Sequence, residues 1–317
     1  MISFRTFRNT DPPILSAFWR SRAEQLDLYP DVTTDVLEQS IFAKLYFDYP
    51  GMILAFDGNR LAGFAHAGFG ANDQGSAVST EMGTTCLALV EPGGSEVEVL
   101  GGLVERSEAY LRGRGAKVFY GGCMTPLNPF YLGLYGGSEM PGILDIDQST
   151  RAAFAARDYR EIERTRIMRL DLSRFESVID RQQMQIRRQM VVESQTDAGT
   201  RSWWEACTLG EFELTRFEMV PRLGGPVVAS ALFRSMSAGG TKTGDRTVGL
   251  VHFEVDADNR RRGYAVFLLS EAFRQFQRQG ILSVETQTPE TNVPAVNLYA
   301  KMKFEHVGGG GMFRKEG

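Results

Sequence analysis

The chain is poor in the residues that most often carry metal and nucleophile chemistry. Among its 317 residues are three histidines and three cysteines. Cys86, Cys123 and Cys207 lie far apart, with no C-x-x-C and no mixed Cys/His cluster, so neither a structural zinc site nor any other metal centre is expected. An odd number of widely spaced cysteines suits free thiols in a reducing, cytoplasmic setting. His66, His252 and His306 would allow a Ser-His-Asp hydrolase on counts alone, but the G-x-S-x-G elbow is missing. No run approaches the length of apolar chain that spans a bilayer, so no membrane partner is expected. The start, Met1-Ile2-Ser3-Phe4-Arg5, has no basic segment followed by an apolar one. It reads as a strand, and no secretory leader is expected. A surplus of positive charge is also missing: the net charge is −4. That argues against a nucleic-acid partner, which needs a basic footprint.

What is present is an ordinary globular composition, 43% hydrophobic and 23% charged, over a length that suits two domains of about 150 residues each. The 34 glycines fall largely in short clusters and imply many turns. Strand alternation, helical periodicity and turn residues give one order of elements twice. In the first half, a strand over 2–8 precedes helices over about 13–27 and 33–48. A hairpin follows, Met52–Phe56 and Leu61–Ala65, closed by Asp57-Gly58-Asn59-Arg60. Next come a strand over 84–90, a helix over about 95–113, a strand over 117–120, a helix over 149–157 and a strand over 160–172. The second half is expected to have helices over 177–189 and 201–209 around a short strand over 190–195. Strands over 212–221, 226–236 and 247–255 follow, with a polar loop at 237–246. A helix over 263–279, a strand over 281–287, a helix over 294–302 and a final strand near 304–314 end the chain. The repetition predicts an old duplication with its boundary near 172–180. Each half is an α/β (α+β) unit with a mixed, mostly antiparallel sheet flanked by helices.

Two segments carry chemistry. In the first, a strand ends at Phe253-Glu254-Val255. A polar turn leads to Arg260-Arg261-Arg262-Gly263-Tyr264-Ala265 at the start of a helix. Apolar residues recur at Ala265, Leu268, Leu269, Ala272, Phe273 and Phe276, one buried helical face. The first turn of a helix offers unpaired N–H groups and a partial positive charge, and Gly263 and Ala265 leave its backbone open to a ligand such as pyrophosphate. The second segment runs from Asn292 through Ala295, Leu298 and Tyr299 to Phe304, after a strand. Ala295 and Tyr299, four apart, share a helix face. A small residue beside a tyrosine leaves room for a thin chain with a thiol tip.

Together these segments resemble the GNAT superfamily of acyl-CoA-dependent N-acyltransferases. Its signature is R/Q-x-x-G-x-G/A followed, some thirty residues later, by N-x-x-A-x-x-L-Y-x-x-x-G-F. Arg260, Gly263, Ala265, Asn292, Ala295, Leu298, Tyr299 and Phe304 match in order. Lys303 stands where glycine is usual and Ala257 where proline is common. The resemblance implies acetyl-CoA as cosubstrate, held by Phe253, Glu254, Val255, Arg260, Arg261, Arg262, Gly263, Tyr264, Ala265, Asn292, Ala295 and Tyr299. It implies that Tyr299 protonates the departing thiolate. Glu254 and His252 are candidates for the base, although the period of two turns both onto the far face unless a bulge re-aims them. Trp203, Trp204 and Phe212 could line an acceptor pocket or pack between the halves.

The first half departs from the signature. After Leu89-Val90-Glu91-Pro92, its helix opens with Glu96 and Glu98, which would repel phosphate. The segments Asn128–Tyr131 and Leu134–Gly142 resemble tandem GNAT proteins, the group that includes mycothiol synthase. Residues 1–172 are therefore expected to form a degenerate GNAT-like domain and 173–317 the acetyltransferase domain. The implied activity is direct acetyl transfer to a primary amine of a small molecule or a peptide, by a monomer or homodimer. The alternative is a non-catalytic CoA-binding or regulatory module.

Overall fold

Alternating side chains and a tight Gly58 turn, whose φ of 60° suits glycine, build the first hairpin of the structure, a computed structural model describing all residues except 27, 136 and 237–245. The first half runs β1 (Ile2–Thr6), α1 (Pro12–Ala23), α2 (Thr34–Leu37), β2 (Met52–Asp57), β3 (Arg60–Ala71), β4 (Val78–Val90), α3 (Glu96–Gly113), β5 (Val118–Gly121), β6 (Ile143–Leu144), α4 (Gln148–Ala155) and β7 (Arg160–Asp171). The helix expected over 33–48 is cut short. After α2 the chain makes one π-helical turn, Glu38–Phe42, and leaves the helix. Phe42 and Phe47 both turn inward on Phe7, with ring centroids 4.7 and 5.4 Å away. That aromatic cluster outweighs local helix propensity.

The second half runs α5 (Arg181–Gln189), β8 (Met190–Thr196), α6 (Trp203–Leu209), β9 (Leu214–Pro221), β10 (Ala229–Ser235), β11 (Thr247–Val255), α7 (Tyr264–Arg278), β12 (Ser283–Pro289), α8 (Val293–Lys301) and β13 (Glu305–Glu316). The expected polar loop lies, but for residue 246, outside the described residues. Helix α7 buries Leu268, Leu269, Ala272, Phe273 and Phe276 as its periodicity demands. Phe276 meets Phe233 and Phe217 at 4.9 and 5.3 Å. Each such side chain contributes about 1.5–3 kcal/mol when fully buried, so this stripe fixes α7, and with it the loop before it, on the sheet.

All the strands join one mixed sheet in the order β1-β2-β3-β4-β5-β13-β7-β12-β11-β10-β9-β8, with β6 paired to β13. Two pairs are parallel: β4 with β5, and β11 with β12. The middle of the sheet is an exchange. The last strand of the first half, β7, lies along β12 of the second half from Thr165–Pro289 to Asp171–Ser283. The last strand of the second half, β13, lies along β5 of the first. Between them β13 and β7 pair with each other. With the short β6–β13 pair, backbone hydrogen bonds therefore cross from one half to the other through four ladders. Among the described residues no helix is long and apolar enough to cross a membrane.

Candidate active site

The site begins where β11 and β12 part. Their parallel ladder runs from Thr247–Ser283 to Leu250–Thr286 and ends there. Beyond it β11 stays paired only to β10, with Val251 bulged out between Leu250 and His252. A bulge adds twist and re-aims side chains, and here it swings the strand end away from β12. His252 and Glu254, the candidate bases, stand exposed, with His252 Nε2 3.6 Å from Glu254 Oε2. Phe253 and Val255 lie half-buried against the core of the second half.

A short turn carries the chain from β11 to α7. Arg260 Nε donates to the Val255 carbonyl at 3.1 Å, so this arginine ties the turn to the strand end. Arg260, Arg261 and Arg262 are all exposed. Gly263 has φ of 81°, in the left-handed region, and a Cβ there would meet the Gln182 side chain of α5 at 3.0 Å. The start of α7 has no side-chain cap and no acidic residue in its first turn. The first amides of a helix have no partner within it, and Gly263, Tyr264 and Ala265, which open this one, are half-buried. A helix start with neither cap nor acid is a place where an anion such as pyrophosphate is favoured.

Helix α8 supplies the other side of the cleft. Asn292 caps it, its side chain accepting from the Ala295 amide at 3.3 Å. The Asn292 side chain therefore orients the helix. Tyr299 is buried at 4% exposure and packs on Phe304 at 5.3 Å. Burial pushes its phenol upward, opposed by a hydrogen bond to the Thr286 hydroxyl and aided by the charge of Glu139. Thr286 is the last β12 residue paired to β11, so the Tyr299 hydroxyl sits at the fork of the two strands. A high pKa keeps that phenol protonated at neutral pH, as a proton donor must be.

Several residues of the site were not singled out as such by sequence. Arg234 on β10, 1% exposed, donates from Nε and Nη2 to the carbonyls of Ser138 and Gly137, each at 2.8 Å. Gln287 on β12 donates to the Glu139 carbonyl at 2.7 Å. Burial lowers the Arg234 pKa to about 10, and the charges of Glu285, Glu139 and Glu211 oppose that fall. A first-half loop is thereby pinned over the second-half fork. Close approach requires small residues: a Cβ at Gly249 would meet Ser138 at 2.8 Å. Trp204 lines a cavity of about 230 Å³ beneath this loop and packs on Tyr46 of the first half at 5.0 Å. It therefore packs between the halves, as one of the two expectations had it. The one sequence sign of these contacts was the glycine-rich Leu134–Gly142 stretch, which bore no role-defining pattern of its own.

A helix start without a cap or an acid, a strand fork and a buried phenol at that fork meet in the second half. Residues 187–304 match the family model described as the acetyltransferase (GNAT) family. The match lies within the second half and spans well under half of the chain; over those residues the chain is similar to the GNAT family. Among solved structures, a GCN5-related glucosamine N-acetyltransferase region of a fungal multi-domain GH3 beta-N-acetylglucosaminidase superposes with a TM-score of 0.70 at 16% identity. That match covers 99% of this chain and 38% of the fungal one, so the chain spans well under half the length of that relative. A tandem GNAT protein from the clavulanic acid biosynthesis pathway gives 0.64 at 14% identity, covering 100% of this chain and 98% of that one. A GCN5-related N-acetyltransferase from Sphaerobacter thermophilus gives 0.63 at 15%, covering 99% and 95%. At these identities the likeness is one of fold, and it extends over both halves. No curated protein sequence matches the chain.

Proposed function

We propose that the protein is an acetyl-CoA-dependent N-acetyltransferase that moves the acetyl group directly to a primary amine. The observation that carries this reading is the coincidence, in one half, of the uncapped α7 start with the Tyr299 hydroxyl at the β11–β12 fork. The amides around Gly263–Ala265 would hold the pyrophosphate, with Arg261 and Arg262 adding positive charge. The pantetheine arm would run along Phe253–Val255, whose free backbone edge can pair with it. The amine nitrogen attacks the thioester carbonyl, the C–N bond forms and the C–S bond breaks. Tyr299 gives its proton to the leaving sulfur. In this reading residues 173–317 form the donor-binding acetyltransferase domain and 1–172 a degenerate GNAT-like domain.

The test is thiol release from acetyl-CoA across a panel of amines. The panel includes glucosamine, because a similar fold carries that name, together with amino acids, polyamines and peptide N-termini. Turnover of at least one amine, with the acetyl amide identified by mass, is the expected outcome. Acetyl-CoA binding with no turnover of any amine would favour a non-catalytic CoA-binding module instead.

A further inference from the structure

Among the described residues, the second-half carboxylate that lines the cavity at the bulge of β11 is Glu205, and it is already engaged by the Arg201 amide. The two strand candidates, His252 and Glu254, are exposed and lie beside each other. The cavity at the bulge has a volume of about 230 Å³ and touches Val251 and His252 on one wall. On the opposite wall it touches Glu139 and Thr125, which belong to the first half. Thr125 Oγ1 donates to Glu139 Oε1 at 2.8 Å and accepts from Asn128 Nδ2 at 3.3 Å. That chain fixes the direction of the threonine proton and the position of the carboxylate. The backbone on either side is held by Arg234 and Gln287, as described above. Glu139 is only partly accessible, and its charge reaches the phenol of Tyr299.

We propose that Glu139, delivered by the first half into the cavity at the bulge of β11, with its backbone held by Gln287 of β12, is the general base that takes the proton from the acceptor amine. The inference rests on the N-acetyltransferase reading and deepens it by naming its base. An amine at neutral pH arrives as an ammonium and cannot attack until one proton leaves. Glu139 takes that proton and passes it to solvent. The nitrogen then forms the C–N bond. As the C–S bond breaks, the nitrogen loses its second proton, which replaces the one Tyr299 gives to sulfur. Burial pushes the Glu139 carboxyl up to about 7, against the pull of Thr125 and Arg234. A base with a pKa near the working pH is the most effective kind. The other charged groups on the cavity wall are His252 from β11 and Arg201 and Glu205 at the start of α6. Arg234 from β10 lies behind the loop, and Glu285 of β12 is engaged by Arg169 of β7.

The experiment is steady-state kinetics of wild type, Glu139→Gln, Glu139→Asp and Glu254→Gln on an amine the wild type acetylates, from pH 5.5 to 9.5. Acetyl-CoA affinity is measured by calorimetry alongside. Glu139→Gln is expected to lose about 10²- to 10⁴-fold in kcat, the range of a lost proton-transfer group. The acid limb near pH 7 should vanish, donor affinity should hold, and Glu139→Asp should fall between. An amine of low pKa, already neutral in solution, should depend less on Glu139. A Glu139→Gln enzyme with the wild-type kcat and pH profile overturns the role of Glu139 alone, most plainly if Glu254→Gln loses both. A wild type that turns over no amine overturns the N-acetyltransferase reading and this inference with it.

Discussion

Each half pairs two parallel strands over the same short length: Met82–Thr85 with Val118–Gly121 in the first, Thr247–Leu250 with Ser283–Thr286 in the second. Each follows its first parallel strand with a long helix, and the last helix of each is capped by a side chain. Asp147 accepts from the Thr150 amide at 3.1 Å, as Asn292 does from Ala295. At the seventh position after the cap stands Phe154 in one half and Tyr299 in the other. The long helices differ in sign: α3 opens with Glu96 and Glu98, whereas α7 has no acid in its first turn. The forks differ in filling. In the first half Leu26, Leu28, Leu87, Leu89, Tyr135 and Leu144 leave a space of about 20 Å³. An acid-free helix start, a strand fork and a phenol therefore coincide in the second half alone, which is the half the proposed reading gives the donor. The connections differ as well. From β12 to α8 the chain needs only Glu290–Asn292, while from β5 to α4 it travels through 122–147. That excursion closes the first fork and carries Glu139 to the bulge of β11.

The sharpest way to break this comparison is to put one negative charge at each long helix start. Gly263→Asp sets a carboxylate against the phosphates. A like-charge contact at 4 Å costs about 4 kcal/mol at an effective dielectric constant near 20. Acetyl-CoA affinity should fall by about 100-fold or more in calorimetry. The left-handed backbone at Gly263 adds strain of about 1–2 kcal/mol for any side chain, so Gly263→Ala measures that part separately. Gly94→Asp sits in open space before α3 and should leave affinity unchanged. Equal losses in both variants would mean that the halves do not differ in donor binding.

Exchanging the two equivalent aromatic residues tests the next difference. Tyr299→Phe keeps the ring and its contact with Phe304 and removes the proton. A loss of about 10- to 10⁴-fold in kcat is expected, with little change in donor affinity, because the hydroxyl matters as charge develops on sulfur. Phe154→Tyr should add no activity. Phe154 is 1% exposed, and an extra atom there should cost about 1–3 kcal/mol of stability. Wild-type turnover by Tyr299→Phe would remove the phenol from the chemistry.

Much of this contrast was legible in the sequence, because it rests on local patterns. The α7 face, the Gly263 turn, the Asn292–Tyr299 spacing and the acidic start of α3 are each written within a few residues of chain. The parallel β11–β12 pair and its crossover helix followed from element order. What was not legible depends on contacts distant in sequence. The exchange of β7 and β13 leaves each half's element order unchanged, so no periodicity reports it. Arg234 reads as one more strand arginine until Gly137 and Ser138 arrive at its guanidinium. Glu139 lies in a glycine-rich loop whose destination is set by Arg234 and Gln287, about 100 and 150 residues further on. The α2 helix was overestimated because Phe42 and Phe47 satisfy a helical pattern but pack better on Phe7.

The smallest expected effect concerns stability, and it assigns acid sensitivity to the first half. His66 on β3 is fully buried among Phe130, Phe47 and Tyr131, with Nδ1 2.9 Å from the Tyr131 hydroxyl. Its Nε2 meets no hydrogen-bond partner. Burial lowers its pKa to about 3, against about 6.5 in an unfolded chain. Below pH 6.5 the unfolded chain binds a proton that the folded one refuses. Stability is therefore fully present above that pH and declines on acidification, by at most about 1.4 kcal/mol per pH unit from this group. Glu139 acts with the opposite sign: its raised folded pKa means that protonation, on the way down from pH 7, favours the fold. Comparing wild type with His66→Gln cancels that contribution, since both keep Glu139. The glutamine retains a polar partner for Tyr131 and cannot titrate, so its melting temperature should fall less than that of wild type between pH 6.5 and 5. Kinetics at pH 8 should be the same for both, because His66 lies in the core of the first half, away from the donor site proposed for the second. Parallel melting curves across that range would mean that His66 is protonated in the fold, and that the first half is less tightly closed around it than its packing indicates.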